Sequence, residues 1–310
     1  DAERPRLDID LGLQIRRSVD QRSRQAFALD REPPPPAHDL PEIEADLVEP
    51  ILAPSDHEIL RYKDFATLTD EERRQILALL DRQPLRWPPR RTRRQRPSRH
   101  GSLDLRRTIR RSLTRGGEPV ELLRRRRVVR PRPLVALLDV SGSMEAYARI
   151  LLQWLYTLRC ATDRLEVFVF GTRLTRITRE LRTRDVDRAL RDATSRVRDW
   201  GGGTRIGEAF RTFNHVWGRR VLGRGAVVMV LSDAWDRGEP EILDFETGRL
   251  ARHTRRLMWL NPLLGSVGYE PTATGIATVL PHVDDFLPVH DLRSLQHLAD
   301  VLERLDRTAY

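Results

Sequence analysis

The chain has one cysteine, Cys160, and one lysine, Lys63, among its 310 residues. A single thiol excludes an internal disulfide and any zinc site built on paired cysteines. Cys160 ends the apolar run ILLQWLYTLRC, which predicts a small buried side chain rather than a reactive thiol. The chain has no G-x-x-x-x-G-K-[ST] phosphate loop, so any ATPase activity has to come from a partner. Its eight histidines form no H-x-x-H or H-E-x-x-H spacing, and catalytic zinc is left without a motif. No apolar run approaches the ~20 residues of a bilayer crossing. No signal-peptide pattern opens the chain either, although it begins at Asp1 rather than at Met. Together these absences point to a reducing, cytoplasmic setting without a membrane span.

What the chain has in excess is arginine. Apolar residues make up 39% of it, enough for a real core, and charged residues 32%, above the usual quarter. The net charge is +10. Between Arg90 and Arg132 stand seventeen arginines against three acids, a local net of +14, so the remainder carries −4. Such a segment can pair with the acidic remainder, dock an acidic partner or bind phosphates. It lacks the interleaved aromatics on which single-stranded bases stack, which counts against nucleic acid.

Composition divides the chain into four parts. Residues 1–54 carry REPPPPAHDLPE and read as a proline-rich, flexible arm. Over 55–89, SDHE and TDEE both fit the S/T-x-x-E capping box, predicting two short helices joined near FATLT. Helices this short must dock on something larger. Residues 90–133 form the arginine-rich connecting segment. In it LDLRRTIRRSL predicts one basic helix whose leucines pack on the chain's own domain, and VELLRRRRVVRPRP reads as extended.

From 134 to 310 the pattern becomes regular. LVALLD, LEVFVF, AVVMVLSD and RLMWLN are near-continuous apolar runs of strand length, and FLPVHD supplies one more. Helical stretches are predicted over 144–159, 185–198, 204–217, 239–255 and 291–307. This is the signature of an α/β fold, a doubly wound and mostly parallel sheet with helices on both faces. Such sheets bind ligands outside the carboxyl ends of their strands.

Three polar clusters fall at or near such ends. Asp139, Ser141 and Ser143 follow LVALL; Thr204 follows three glycines in WGGGTRIGEAF; Asp233 follows AVVMVLS. Two carboxylates and three hydroxyls form an all-oxygen donor set, suited to a hard divalent cation such as Mg²⁺ or Mn²⁺. Five protein groups leave a coordination position open, and a carboxylate from a partner protein is its natural occupant.

The D-x-S-x-S at 139–143, the GGT threonine at 204 and the S-D at 232–233 resemble the metal-ion-dependent adhesion site of von Willebrand factor A (VWA) domains. EILRYKDFATLT, GGEPVELLRRRR, VFVFGTRLTRITREL, SDAWDRG and WLNPLLGSVGYEP narrow the resemblance to the CoxE-like VWA proteins, from about residue 55 onward. That resemblance implies a non-enzymatic accessory factor working beside a MoxR-type AAA+ ATPase. Its implied client is a metal enzyme under maturation, similar to carbon monoxide dehydrogenase. By the same resemblance Asp139, Ser141, Ser143, Thr204 and Asp233 hold the metal, the hydroxyls directly and the aspartates through water. Met144, Glu145, Arg205 and Asp236 then shape the docking rim, although Asp236 also reads as a loop or helix-capping carboxylate. Two other readings stand behind this one: an RNA-binding VWA protein using the arginine segment, and a metal-dependent hydrolase. The hydrolase has neither a second metal cluster nor an evident general base.

Overall fold

The computed structural model describes residues 56–82, 89–114, 121–183, 185–197, 203–223, 225–265, 269 and 273–305. The proline-rich arm read over 1–54 lies outside them, as do Gly201 and Gly202 of the glycine run. The chain begins with α1 (Asp56–Tyr62), a 3₁₀ turn at Phe65–Thr67 and α2 (Asp70–Arg82). The arginine segment follows as β1 (Pro89–Ser98), β2 (Ser102–Leu103), α3 (Leu105–Leu113) and β3 (Arg124–Pro131). The regular part opens with β4 (Leu134–Asp139), α4 (Glu145–Ala161), β5 (Leu165–Phe170), β6 (Leu174–Arg176) and α5 (Val186–Arg196). It continues through α6 (Ile206–Thr212), α7 (Gly218–Val221), β7 (Val227–Leu231) and α8 (Pro240–His253). The remaining elements are β8 (Arg256–Asn261), α9 (Thr274–Val279), β9 (Asp285–Pro288) and α10 (Leu292–Arg304).

Six strands make the main sheet, in the order β6-β5-β4-β7-β8-β9. All pair in parallel except β6, which turns back antiparallel on β5. All six residues of β4 are buried, because both sheet faces are covered. Alternate side chains therefore enter different cores. Leu134, Ala136 and Leu138 join the core that holds Leu151 and Leu155 of α4 and Leu295 of α10. Val135 and Leu137 join the one that holds Phe210 of α6 and Leu243 of α8. The chain winds outward from β4 to β6, then crosses back to β7 and winds the other way. The crevice between the carboxyl ends of β4 and β7 is thus the topological switch point of the sheet.

The N-terminal helices form part of this same body. Leu60, Phe65, Ile76 and Leu80 are buried in the core that receives α4. Thr69 caps α2 in the reciprocal way its sequence predicts: its backbone N–H donates to Glu72 Oε2 at 2.8 Å, and Glu72 N–H donates to Thr69 Oγ1 at 3.3 Å. The backbone N–H of Phe65 donates to the His290 carbonyl at 2.8 Å, fastening the layer ahead of α10.

Three expectations are corrected. The helix predicted over 204–217 is interrupted, because a π-helical turn at Phe213–Trp217 follows α6. That turn sets Phe213 and Trp217 edge-on against Phe168, with ring centroids 5.2 and 5.5 Å apart. Cys160 is exposed, not buried. It falls outside the α4 stripe of Leu151, Leu155 and Leu158 that faces the core. The leucines of the basic helix also do not pack on the domain: Leu105, Ile109 and Leu113 are 62%, 57% and 72% exposed. α3 is instead anchored through buried Thr108, whose Oγ1 accepts from Leu123 N–H at 3.0 Å.

The arginine segment is more than a connection, because β1, β3 and β2 pair into an antiparallel sheet of their own. Among the described residues no helix is long and apolar enough to cross a membrane.

Candidate metal site

Asp139 ends β4 at the switch point, and it is completely buried. Its Oδ1 accepts from the Ser141 N–H at 2.9 Å, and its Oδ2 from the Ser232 hydroxyl at 2.7 Å, across the crevice from the end of β7. Ser232 is held in turn: its Oγ accepts from Ala234 N–H at 2.9 Å, and its carbonyl from Trp259 Nε1–H at 2.9 Å. Asp233 is buried as well, with Oδ1 accepting from Trp235 N–H at 3.0 Å.

Burial pushes the Asp139 carboxyl up to about 7, against the pull of its hydrogen bonds from Ser232 and Ser141, and the like charge of Asp233 pushes the same way. Among the described residues no ion pair involves either aspartate. A buried carboxylate costs free energy unless a positive charge accompanies it. Two of them meeting at one crevice, beside hydroxyls, is a donor set that fits a divalent cation.

The hydroxyls open onto a cleft of about 360 Å³ lined by Ser141, Gly142, Ser143, Gly203, Thr204, Trp235 and Arg237. The Ser141 and Ser143 hydroxyls lie 3.3 Å apart. Thr204 is held over this edge from two sides. Its carbonyl accepts from Arg237 N–H at 3.0 Å, and the N–H of the next residue, Arg205, donates to the Gly171 carbonyl at 3.1 Å. The three sequence-distant clusters thus share one cleft or the strand ends beneath it.

The predicted rim divides. Glu145 and Arg205 are exposed, and Arg205 pairs with Glu208 at 3.3 Å. Met144 is fully buried in the α4 core and cannot shape a docking rim. The 3₁₀ turn at Gly142–Met144 swings its side chain inward while Ser143 stays exposed. Asp236 acts as the capping carboxylate: Oδ1 accepts from Ile206 N–H at 2.9 Å, at the start of α6, and from Gly238 N–H at 3.1 Å. Asp236→Ala should cost about 1 kcal/mol, the usual value of a lost cap. Urea denaturation checks this.

Sequence reasoning missed Trp235 and Arg237. Trp235 is 69% exposed beside the cleft, and the signal was present in SDAWDRG, a large aromatic directly after a strand-end aspartate. Tyr147 was missed too. It is buried at the start of α4, and burial raises its hydroxyl pKa, helped by a hydrogen bond to Asp64 and by the charge of Asp233. Through it the N-terminal layer reaches the site's surroundings.

A family model described as "VWA domain containing CoxE-like protein" matches residues 76–295. No curated protein matches the chain. Among solved structures, an aerotolerance-related membrane protein from Bacteroides fragilis is similar at 15% identity and TM-score 0.38, over 56% of this chain and 98% of that one. The conserved hypothetical protein BatB from Bacteroides thetaiotaomicron is similar at 17% and 0.39, over 57% and 100%. Proximal thread matrix protein 1 from the mussel byssus, solved with a zinc-occupied MIDAS motif, is similar at 15% and 0.38, over 56% and 47%.

Proposed function

The chain belongs to the family of VWA domain containing CoxE-like proteins, and on that footing we propose that it is an adaptor that binds partner proteins through a divalent cation. Asp139, Ser141, Ser143, Thr204 and Asp233 hold that cation, magnesium or manganese. When bound, it offers an electrophilic centre that takes one anionic oxygen from outside. The protein's own groups do the rest. The Ser141 N–H and the Ser232 hydroxyl fix Asp139 beneath the cleft. The Arg237 guanidinium at the cleft wall attracts an incoming carboxylate, and Trp235 presents an apolar face for the surface that carries it. The partner in this reading is a MoxR-type AAA+ ATPase, and the client an enzyme whose metal centre is being matured, similar to carbon monoxide dehydrogenase. The chain works by binding rather than by turnover.

One observation carries the reading: a completely buried carboxylate with a second one nearby, without an ion-pair partner among the described residues, beneath a hydroxyl-lined cleft. The test is capture of a purified MoxR-type ATPase on the immobilised chain, with magnesium or with EDTA. Capture should require magnesium. Ser143→Ala should weaken it by about tenfold, and Trp235→Ala by about thirtyfold if the indole anchors the interface. Equal capture in EDTA would overturn metal-mediated docking.

A further inference from the structure

The opposite end of the main sheet carries a second feature, and the adaptor reading makes no use of it. Between the arginine hairpin and the amino ends of the strands lies a groove of about 1110 Å³. Nine arginines among the described residues line it. Seven come from the segment 90–132, and two, Arg164 and Arg255, stand immediately before β5 and β8. The other described lining residues are three prolines, Thr92 and Gly225, so among the described residues the groove has no carboxylate, aromatic ring or large aliphatic side chain. Arg132 closes its floor by donating from Nη1 to the Gly225 carbonyl at 3.0 Å.

The hairpin is built against its own electrostatics. Arg90 stands opposite Arg130, and Arg96 opposite Arg126, in the β1–β3 register. Like charges directly across a ladder repel and destabilise it. The register also breaks between Arg91 and Gln95, where three residues of β1 face a single residue of β3. That bulge spans Thr92, Arg93 and Arg94, and all three line the groove. Bulges re-aim side chains in this way at functional edges.

From this geometry we propose that the groove binds a chain of phosphates. Arginine forks take phosphate oxygens two at a time, and a run of phosphates spreads its negative charge along the groove. An acidic peptide would need apolar or aromatic anchor pockets, and the described lining residues form none. Base stacking would need aromatic faces, also absent among the described lining residues, so what the groove offers is recognition of phosphate charge.

The test is calorimetric titration of the 310-residue chain with inorganic tripolyphosphate. Binding should be seen at about 50 mM salt and should weaken at least about tenfold by 200 mM. Arg93→Glu combined with Arg94→Glu should reduce affinity at least about tenfold. Arg106→Glu combined with Arg110→Glu makes the same charge change on α3, outside the groove, and should leave it within about twofold. Circular dichroism establishes that both variants fold. Two further ligands separate the sources of the phosphate chain: a twelve-nucleotide mixed-sequence RNA and poly-glutamate. RNA binding that is lost in the groove variant supports the proposal and identifies a nucleic-acid backbone. Binding of tripolyphosphate but not RNA supports it and identifies a free phosphate chain. Absence of tripolyphosphate binding at low salt, equal losses in the two variants, or tighter binding of poly-glutamate at the groove overturns it.

Discussion

Asp139→Asn should make the metal-free protein more stable at pH 8, by an amount of order 4 kcal/mol, while abolishing its response to magnesium. The reasoning starts from burial. The folded protein raises the Asp139 carboxyl from an ordinary 3.8 to about 7. The unfolded chain therefore releases this proton first as pH rises. Below about pH 4 the group is protonated in both states and costs nothing. Between pH 4 and 7 the metal-free protein loses stability progressively, and above 7 the full deficit of about 4 kcal/mol remains. Asparagine keeps the shape, carries no charge and removes the deficit. In EDTA the variant's melting temperature should exceed that of the parent at pH 8 and approach it at pH 4. With magnesium the order should reverse at pH 8, because only the parent gains binding energy from the cation. Cation affinity in the parent should itself fall as pH drops below 7, since the proton competes for the same oxygens. A variant that melts lower than the parent in EDTA at pH 8 would show that Asp139 is stabilised by something other than a cation.

Gly275→Ala should destabilise the protein by about 3 kcal/mol and weaken cation binding at least tenfold. On propensity alone the opposite is expected, since alanine in a helix improves on glycine by up to about 1 kcal/mol. Contact decides the sign. A Cβ on Gly275, in α9, would lie 2.1 Å from the Ala234 carbonyl oxygen, and backbone cannot yield as a flexible side chain can. That oxygen already accepts from Asp236 N–H at 2.9 Å. Ala234 itself has φ of 59°, a left-handed conformation that costs an alanine roughly 1–2 kcal/mol. The loop therefore has little slack, and it carries Asp233 on one side and Trp235 on the other. Guanidinium denaturation and a magnesium titration read the two effects separately. A net gain in stability would mean that the loop moves freely.

The four inner strands of the main sheet were legible because burial on both faces writes them as apolar runs, as in LVALLD. The candidate ligands were legible because polar residues directly after such runs have few structural reasons to be there. Other features left no trace in composition. β1 reads PRRTRRQRPS, with no apolar alternation and two prolines, so nothing marked it as a strand before β3 supplied its partner. β6, three half-buried residues on the sheet edge, was equally silent. Met144 and Cys160 failed for a directional reason. Adjacency to Ser143, or membership of an apolar run, does not say which way a helical turn points a side chain. Asp236 shows the same limit in reverse, since its partner Ile206 lies thirty residues away and only the fold brings them together.

The N-terminal helices bear on where this protein can be cut. The sequence invites a boundary before Leu134, where the regular strand–helix alternation begins. Yet Leu60, Phe65, Ile76 and Leu80 fill the core over α4, and Tyr147 of that helix bonds to Asp64. A fragment starting at Leu134 would keep every candidate ligand and lose the apolar layer that covers α4 and α10. Such a fragment should come out of expression insoluble, with an intact recognition motif and an apolar face of α4 left open to water. The modular unit of this protein is therefore larger than its motif, and it begins no later than Asp56.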